Sequence, residues 1–243
     1  MISPASQPLV LAFDSAGSAC SVAIAAGDRV ICAERIETLH GQSEALLPMV
    51  DAAMRKAGLA ASALDLIATT VGPGSFTGIR VGLAAARGIA LAIGARLIGV
   101  TGFEAVCATL PALDHDRCGG FLLIALESRR EDLYIQLFER AHGPLGKPTT
   151  AMPDTLGEVV SKAVAEAPLL VAGDAAHRAG LALSRRPNTI IMESSAPDAV
   201  GVLRASLRRW RRGELSEEPL PVYLRSPDVT ISSEHRSPNH PSP

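Results

Sequence analysis

Residues 69–80 have the sequence Thr69-Thr70-Val71-Gly72-Pro73-Gly74-Ser75-Phe76-Thr77-Gly78-Ile79-Arg80, which joins one apolar run to a longer one. The first run predicts a strand and the second, to residue 93, predicts a helix. Glycine lets another backbone or a ligand approach closely, and the first N–H groups of a helix lack partners within it. A strand, a glycine loop and a helix in this order therefore form either a phosphate-binding loop or the remains of one.

The loop does not match the common catalytic motifs that contain glycine. A nucleotide P-loop requires lysine where Ile79 stands, and a dinucleotide fingerprint requires glycine at Thr77. A nucleophile elbow requires serine at the position of Gly74. Two roles for the loop therefore stay open, contact with a nucleotide and packing within the protein. The candidate residues for contact with a nucleotide or phosphate are Asp14, Ser15, Gly72, Gly74, Ser75, Thr77 and Gly78.

Asp14 ends the first predicted strand, and Ser15 begins the turn that follows it. In sheets that handle phosphate, an acid at this place holds a metal ion or a water molecule. The alternative is that Asp14 and Ser15 only form hydrogen bonds within the turn. A single acidic residue does not decide between the two interpretations.

The predicted elements occur twice in the order βββαβαβα, first over residues 9–110 and again over 120–212. This repeat predicts an α/β protein with two mixed sheets, helices on their faces and a ligand cleft between the copies. We expect an N-terminal lobe over 1–110 and a C-terminal lobe over 111–223. Residues 224–243 are rich in Ser, Pro and His and predict a disordered tail.

The composition, with 47% hydrophobic residues, 20% charged residues and a net charge of −2, is typical of a globular protein without general affinity for nucleic acid or membranes. Four widely spaced cysteines indicate a reducing, cytoplasmic setting. The apolar stretch 81–100 is interrupted by Arg87 and Arg96, so we expect a buried helix and a strand and no membrane span. His40 and Glu44 lie one helical turn apart but lack a third ligand, so no metal site is expected.

A basic cluster near the end of the last predicted helix allows two interpretations. Contact with an RNA backbone is one, and a solvated helix face whose arginine stems cover apolar surface is the other. The second is favoured because arginines near a helix C-terminus also interact well with its dipole. The cluster consists of Arg204, Arg208, Arg209, Arg211 and Arg212.

Three stretches together resemble the TsaB (YeaZ) family: Leu11-Ala12-Phe13-Asp14-Ser15, His40 followed by Leu46-Leu47-Pro48-Met49-Val50, and the GPGSFTG segment Gly72–Gly78. The resemblance extends from residue 9 to about 108 and returns at Pro221-Val222-Tyr223-Leu224-Arg225. It implies an RNase H-like fold of the actin-like ATPase superfamily. It also implies a part in making threonylcarbamoyladenosine in bacterial tRNA. Glu127 stands where this family more often has aspartate.

The resemblance further implies a non-catalytic, cytoplasmic subunit. The family's catalytic relative, TsaD, carries a metal-binding HxxxH motif, and Gly102 and Val106 occupy the two histidine positions here. The implied partners are a TsaD-type enzyme, a TsaE-type ATPase and, through the complex, tRNA, with a homodimer formed when the chain is alone. No cofactor of its own is implied, and ATP or ADP would act at the level of the complex.

The predicted helices 40–57 and 77–93 are the contact helices that the resemblance implies. Their candidate interface residues are Leu46, Val50, Gly82, Ala85, Ala86 and Ala90. The alternative function is that of a small ATP-dependent kinase or ATPase that uses Asp14 and the Gly72–Gly78 loop. A direct RNA-binding module would depend on the arginine cluster alone.

Overall fold

The computed structural model describes residues 7–37, 41–111, 120–139, 143–192, 196–214 and 218–225. The first half of the chain forms a five-stranded sheet in the order β3-β2-β1-β4-β5. β2 pairs antiparallel with β1 and β3, and β1, β4 and β5 are parallel. The strands are β1 (Leu9–Asp14), β2 (Ala19–Ala26), β3 (Arg29–Glu37), β4 (Leu66–Gly72) and β5 (Arg96–Thr101).

The second half forms another five-stranded sheet, in the order β10-β9-β6-β7-β8. Its strands are β6 (Phe121–Glu127), β7 (Leu133–Glu139), β8 (Gly143–Ala151), β9 (Leu169–Ala172) and β10 (Thr189–Ile191). The first three strands again pair antiparallel and the first, fourth and fifth parallel. The sheets therefore share one topology, which confirms the predicted duplication.

Among the described residues, three α-helices alternate with the strands of each sheet in the predicted order βββαβαβα. They are α1 (Gln42–Ala57), α2 (Phe76–Ile93), α3 (Gly102–Thr109), α4 (Pro153–Val164), α5 (Ala176–Ala182) and α6 (Ala199–Arg211). α1 ends at Gly58, whose φ of 66° is left-handed. α3 begins with a capping box in which Thr101 and Glu104 bind each other's backbone N–H groups. His40 lies outside the described residues.

The first sheet is covered on both faces. Side chains such as Leu11 and Phe13 pack against α1 and α2, whereas Val10 and Ala12, which point the other way, pack against α3 and α6. α6 belongs to the second half of the chain but buries Leu203 and Trp210 on the first sheet. We call this sheet with α1, α2 and α6 the first lobe, and the second sheet with α4 and α5 the second lobe.

α3 lies between the lobes, because its Phe103 and Val106 pack against apolar side chains of the second sheet. A domain boundary at residue 110 therefore separates the two sheets. It does not separate the two lobes as packed bodies, because α3 contacts both of them. The predicted tail also begins later than residue 224, since Leu224 packs into the same cluster and Arg225 forms an ion pair with Asp132. Residues 226–243 lie outside the described part of the chain.

α2 is, within the described residues, the one helix that is long and apolar enough to cross a membrane by length and composition alone. Six of its residues are buried, and Ala86 and Ala90 lie in the apolar core between α2 and the first sheet. In this structure α2 is a helix of the first lobe.

Candidate functional site

The glycine loop lies at the carboxyl end of β4, beside the turn that follows the parallel strand β1. A Cβ atom on Gly78 would come within 1.9 Å of the carbonyl oxygen of Ser15, and one on Gly74 within 2.3 Å of that of Ala16. The backbone N–H of Ser75 donates to the same Ala16 oxygen over 2.8 Å. The glycines therefore allow the loop to contact the chain's own backbone.

The candidate hydroxyl groups of the loop are also bonded within the protein. Ser15 Oγ donates to the carbonyl of Gly78 over 2.9 Å, and Ser75 Oγ accepts from the N–H of Gly78 over 3.2 Å as the N-cap of α2. Gly72, with a φ of 120°, lies against the carbonyl of Val222, which would be 2.4 Å from an added Cβ. Thr77 is exposed on the first turn of α2.

Asp14 is buried, with 1% of its surface exposed, and its Oδ1 accepts from the N–H of Ala16 over 3.2 Å. Burial raises the pKa of this carboxyl group from 3.8 to about 6. Hydrogen bonding from Thr70 and Ala16 lowers the pKa and so offsets part of the rise, while the negative charge of Asp198 adds to it and the positive charge of Arg35 opposes it. Asp14 is thus a buried acid that releases its proton near pH 6.

A cleft of about 650 Å³ separates the lobes and includes Asp14 in its wall, as the duplicated pattern predicts. The first lobe contributes the turn after β1 and the glycine loop, and the second contributes the ends of β6 and β9. The main polar and aromatic residues of the wall are Asp14, Thr70, Ser75, Phe76, Glu127, Arg129, Tyr134, Asp174 and Tyr223.

Glu127 ends β6 as Asp14 ends β1, and it forms a salt bridge with Arg178. The backbone N–H of Glu127 donates to Asp174 Oδ1 over 3.0 Å. Burial raises the pKa of the Asp174 carboxyl group. Gly173 is the counterpart of the glycine loop, since a Cβ there would lie 2.0 Å from the carbonyl of Ala125. The sequence analysis missed this second loop, although a Gly-Asp pair directly after the strand 169–172 was a usable signal.

Gly102 and Val106, the two positions for which the resemblance implies a lost histidine pair, lie on α3 between the lobes. A Cβ on Gly102 would be 3.1 Å from both Leu126 Cδ1 and Pro197 Cγ. Val106 is 2% exposed and packs into the apolar cluster of the second sheet. Among the described residues no three His, Cys, Asp or Glu side chains converge on a common point.

The candidate interface residues lie mainly in the interior of the first lobe. Five of the six are buried within the first lobe itself: Leu46, Val50, Gly82, Ala86 and Ala90. Ala85 is half-buried against the same core. The helical period was right, but these small residues allow α1 and α2 to approach each other and the sheet. The outer face of the two helices presents other residues, notably Leu47 and Leu91, which are 54% and 86% exposed.

Three arginines of the basic cluster bind other parts of the first lobe or α3. Arg208 donates to the carbonyl of Ala108 over 3.2 Å, and Arg209 to that of Gly99 over 2.6 Å. Arg211 forms an ion pair of 2.7 Å with Asp28. These contacts connect α6 to the parts of the chain on which it packs.

Comparisons with known proteins agree on one family. Residues 35–192 match the family model described as TsaD, tRNA N6-adenosine threonylcarbamoyltransferase. An uncharacterized protein of Mycobacterium leprae is 32% identical over 91% of this chain, which spans only 56% of that relative. The tRNA threonylcarbamoyladenosine biosynthesis protein TsaB of Escherichia coli is 27% identical over 89% of this chain and 94% of its own length.

A solved structure from Pseudomonas aeruginosa is also similar. It is described as an uncharacterized protein with similarity to the peptidase YeaZ, and it is 26% identical to this chain. The match covers 90% of this chain and 100% of the other, with a TM-score of 0.71. The two chains therefore share the complete two-lobed architecture.

Proposed function

We propose that this chain, which belongs to the family described by the TsaD model and has TsaB and YeaZ proteins among its relatives, is a non-catalytic subunit that binds and activates a TsaD-type transferase. The TsaB-named relatives support a role in tRNA threonylcarbamoyladenosine biosynthesis. The proposal places the protein in the cytoplasm, where it acts together with a TsaE-type ATPase and contacts tRNA through the complex.

The observation that carries the proposal is the packing of Gly102 and Val106. A catalytic metal needs imidazole or carboxylate ligands around an open position. At Gly102 even an added Cβ would lie 3.1 Å from Leu126 Cδ1 and from Pro197 Cγ, which is tighter than an ordinary contact, and Val106 is buried among apolar side chains. These two positions help to hold the lobes together and offer no atom that could bind a metal ion.

The glycine loop supports the same conclusion. A bound phosphate requires N–H donors that point at it. The N–H groups of Ser75 and Gly78 already donate to Ala16 and to Ser75 Oγ, and carbonyl oxygens of Ser15 and Ala16 lie against the glycines. Carbonyl oxygens carry partial negative charge and repel an anion, so we attribute the loop to packing.

The surface proposed for the partner is the outer face of α1 and α2. Leu47 and Leu91 are large apolar residues that stand mostly in solvent, and Ala84 and Gly88 are exposed beside them on α2. Exposed apolar side chains next to small residues suit the close approach of another helix. In the proposal this face binds the TsaD-type enzyme, and a second copy of the chain when that enzyme is absent.

A second candidate function is that of a small ATP-dependent kinase or ATPase. The buried Asp14 favours it, because an acid with a strongly perturbed pKa in a cleft is a common feature of active sites. This candidate requires that the chain hydrolyse ATP or transfer its phosphate without any partner. It also requires that Asp14→Asn abolish that activity.

Reconstitution with purified proteins tests the proposal. The chain alone, given tRNA, threonine, bicarbonate, ATP and Mg²⁺, should form no threonylcarbamoyladenosine. Addition of a TsaD-type enzyme, a TsaE-type ATPase and the enzyme that makes the threonylcarbamoyl donor should restore product, and omission of this chain should remove it. Product formed by the chain alone, or an unchanged rate without it, would contradict the proposal.

A further inference from the structure

Residues 218–225 run across both lobes after α6. We propose that this segment is a strap that holds the two lobes at one fixed angle. That angle therefore does not depend on whether a ligand lies in the cleft.

The first residues of the strap contact α2 and β5. Arg87 Nη2 donates to the carbonyl of Pro219 over 2.8 Å, and Arg87 Nε lies 2.9 Å from Glu218 Oε1. Pro219 is buried, and its Cβ would be 2.7 Å from a Cβ on Gly99. The start of the strap therefore lies in a fixed position on the first lobe.

The middle of the strap binds the glycine loop and the start of α2. The N–H of Val222 donates to the carbonyl of Val71 over 2.7 Å, and the Val222 side chain packs against an apolar cluster that contains Ile79. The hydroxyl group of Tyr223 accepts from Arg80 Nε over 3.0 Å. The ring of Tyr223 also lies 4.9 Å from that of Phe76, between their centroids. Backbone, ring and side-chain contacts thus restrain Val222 and Tyr223, two neighbouring residues of the strap.

The end of the strap belongs to the second lobe. Leu224 packs with side chains of β6 and β7, including Leu126 and Phe138. Arg225 pairs with Asp132, a carboxylate that is only 4% exposed and also accepts from Ser128 Oγ over 2.7 Å. Within four residues the chain passes from a backbone hydrogen bond in one lobe to a buried ion pair in the other.

A separate hydrogen bond also joins the two lobes beside the cleft. Arg129, in the second lobe, donates from Nη2 to the carbonyl of Gly17 in the first lobe over 2.9 Å. Its φ of 61° is a left-handed conformation that costs free energy for a residue other than glycine. Together with the strap and α3, this contact restrains the lobes on more than one side without any bound ligand.

Distances between spin labels test the strap. Nitroxides would be attached at Ala33→Cys on β3 and Ser161→Cys on α4, in a chain whose Cys107 and Cys118 are replaced by alanine. The labelled chain would be diluted with unlabelled chain so that only intramolecular distances are measured. We expect one narrow distance distribution that stays the same when Mg²⁺ and ADP, or Mg²⁺ and ATP, are added at millimolar concentration.

Two variants remove the attachment to the second lobe. Leu224→Ser and Arg225→Gln should each broaden the distribution and speed amide exchange at Val222 by about tenfold or more. Leu220→Ser, on a strap residue that is 70% exposed, should change neither quantity and is the matched control. If Leu224→Ser does not fold by circular dichroism, Arg225→Gln decides. A broad or ligand-dependent distribution in the parent chain, or an unchanged one in both folded variants, would overturn the proposal.

Discussion

Gly78 lies so close to Ser15 that a Cβ atom on the glycine would be 1.9 Å from the serine's carbonyl oxygen. In return, Ser15 Oγ donates to the carbonyl of Gly78 over 2.9 Å. The two segments that a phosphate-binding protein would hold apart around its ligand are in direct contact here. This contact is the physical basis for regarding the loop as a packing element.

The close contact predicts that Gly78→Ala lowers the free energy of unfolding by about 2–3 kcal/mol, because the added methyl group forces the two backbones apart. Gly88→Ala is the matched control on the same helix. Nothing lies within 4 Å of a Cβ on Gly88, so the change should stabilise the protein by about 0.5–1 kcal/mol. Denaturant unfolding of the three proteins measures both effects. Equal stability of Gly78→Ala and the parent would contradict the close contact.

Asp14 predicts a specific pH dependence of stability. Its pKa of about 6 in the folded chain lies above the ordinary value of 3.8, so the folded state holds this proton more tightly than the unfolded state. The corresponding stabilisation is complete below about pH 4 and is lost as the pH rises through 6. A shift of about two units corresponds to about 3 kcal/mol.

Asp14→Asn should therefore be more stable than the parent at pH 7, by up to about 3 kcal/mol, and the difference should shrink towards pH 4. Asp51→Asn, at an exposed position on α1, changes the net charge equally and is the control. Denaturant midpoints measured from pH 4 to 7 give the comparison. A stability deficit of Asp14→Asn that grows from pH 4 to pH 7 would show that the Asp14 charge contributes favourably to the fold and would contradict this prediction.

The sequence predicted both sheets, because most of their strands are short apolar runs bounded by turn residues and the same order occurs twice, although β8 (Gly143–Ala151) is largely polar and exposed. It did not predict that α6 packs on the first sheet. The apolar residues of α6, such as Leu203 and Trp210, show that the helix has a buried face but not which sheet covers it. Which sheet the helix covers depends on the path of the chain between the elements. The local spacing of apolar residues gives no information about that path.

The candidate site was predicted in part. Asp14 and the glycine loop do lie together in a cleft, since the carboxyl ends of parallel strands share one edge of a sheet. The burial of the candidate interface residues was not predicted, because a run of small residues such as Ala86 and Ala90 suits a core as well as a partner. The strap was not predicted, since residues 218–223 were assigned to the C-terminal lobe and 224–225 to the tail. The contacts of Val222 and Leu224 are made with residues far away in sequence, which a local pattern does not reveal.

The arginine cluster is predicted to stabilise the fold and not to bind RNA. Arg209→Ala removes a charged hydrogen bond to the carbonyl of Gly99 and should cost about 2 kcal/mol of unfolding free energy. Arg204→Ala, at an exposed position of the same helix, should change it by less than about 0.5 kcal/mol. Filter binding should give the same tRNA affinity for both variants and the parent. A weaker affinity for Arg204→Ala would support direct contact with RNA.

The outer face of α1 and α2 gives the interface prediction. Leu91→Asp should weaken binding to a TsaD-type enzyme by at least about tenfold without loss of stability, since Leu91 is 86% exposed and contributes little to the core. Leu181→Asp places the same charge at a residue of the second lobe that is 63% exposed, and should leave binding unchanged. Isothermal titration calorimetry with each variant gives the affinities. Equal affinities for both variants and the parent would place the interface elsewhere.

The most direct test of a non-catalytic role is the rate of tRNA threonylcarbamoylation in the reconstituted system, measured with this chain at a concentration close to the parent's Kd for the TsaD-type enzyme, where a tenfold loss of affinity appears as a loss of rate. We predict that Asp14→Asn and Ser75→Ala, which change the cleft, keep the parental rate. Leu91→Asp, which changes the outer face of α2, should lose it. The opposite result, a rate abolished by Asp14→Asn in a folded protein and unaffected by Leu91→Asp, would show that the cleft performs chemistry and would contradict the account.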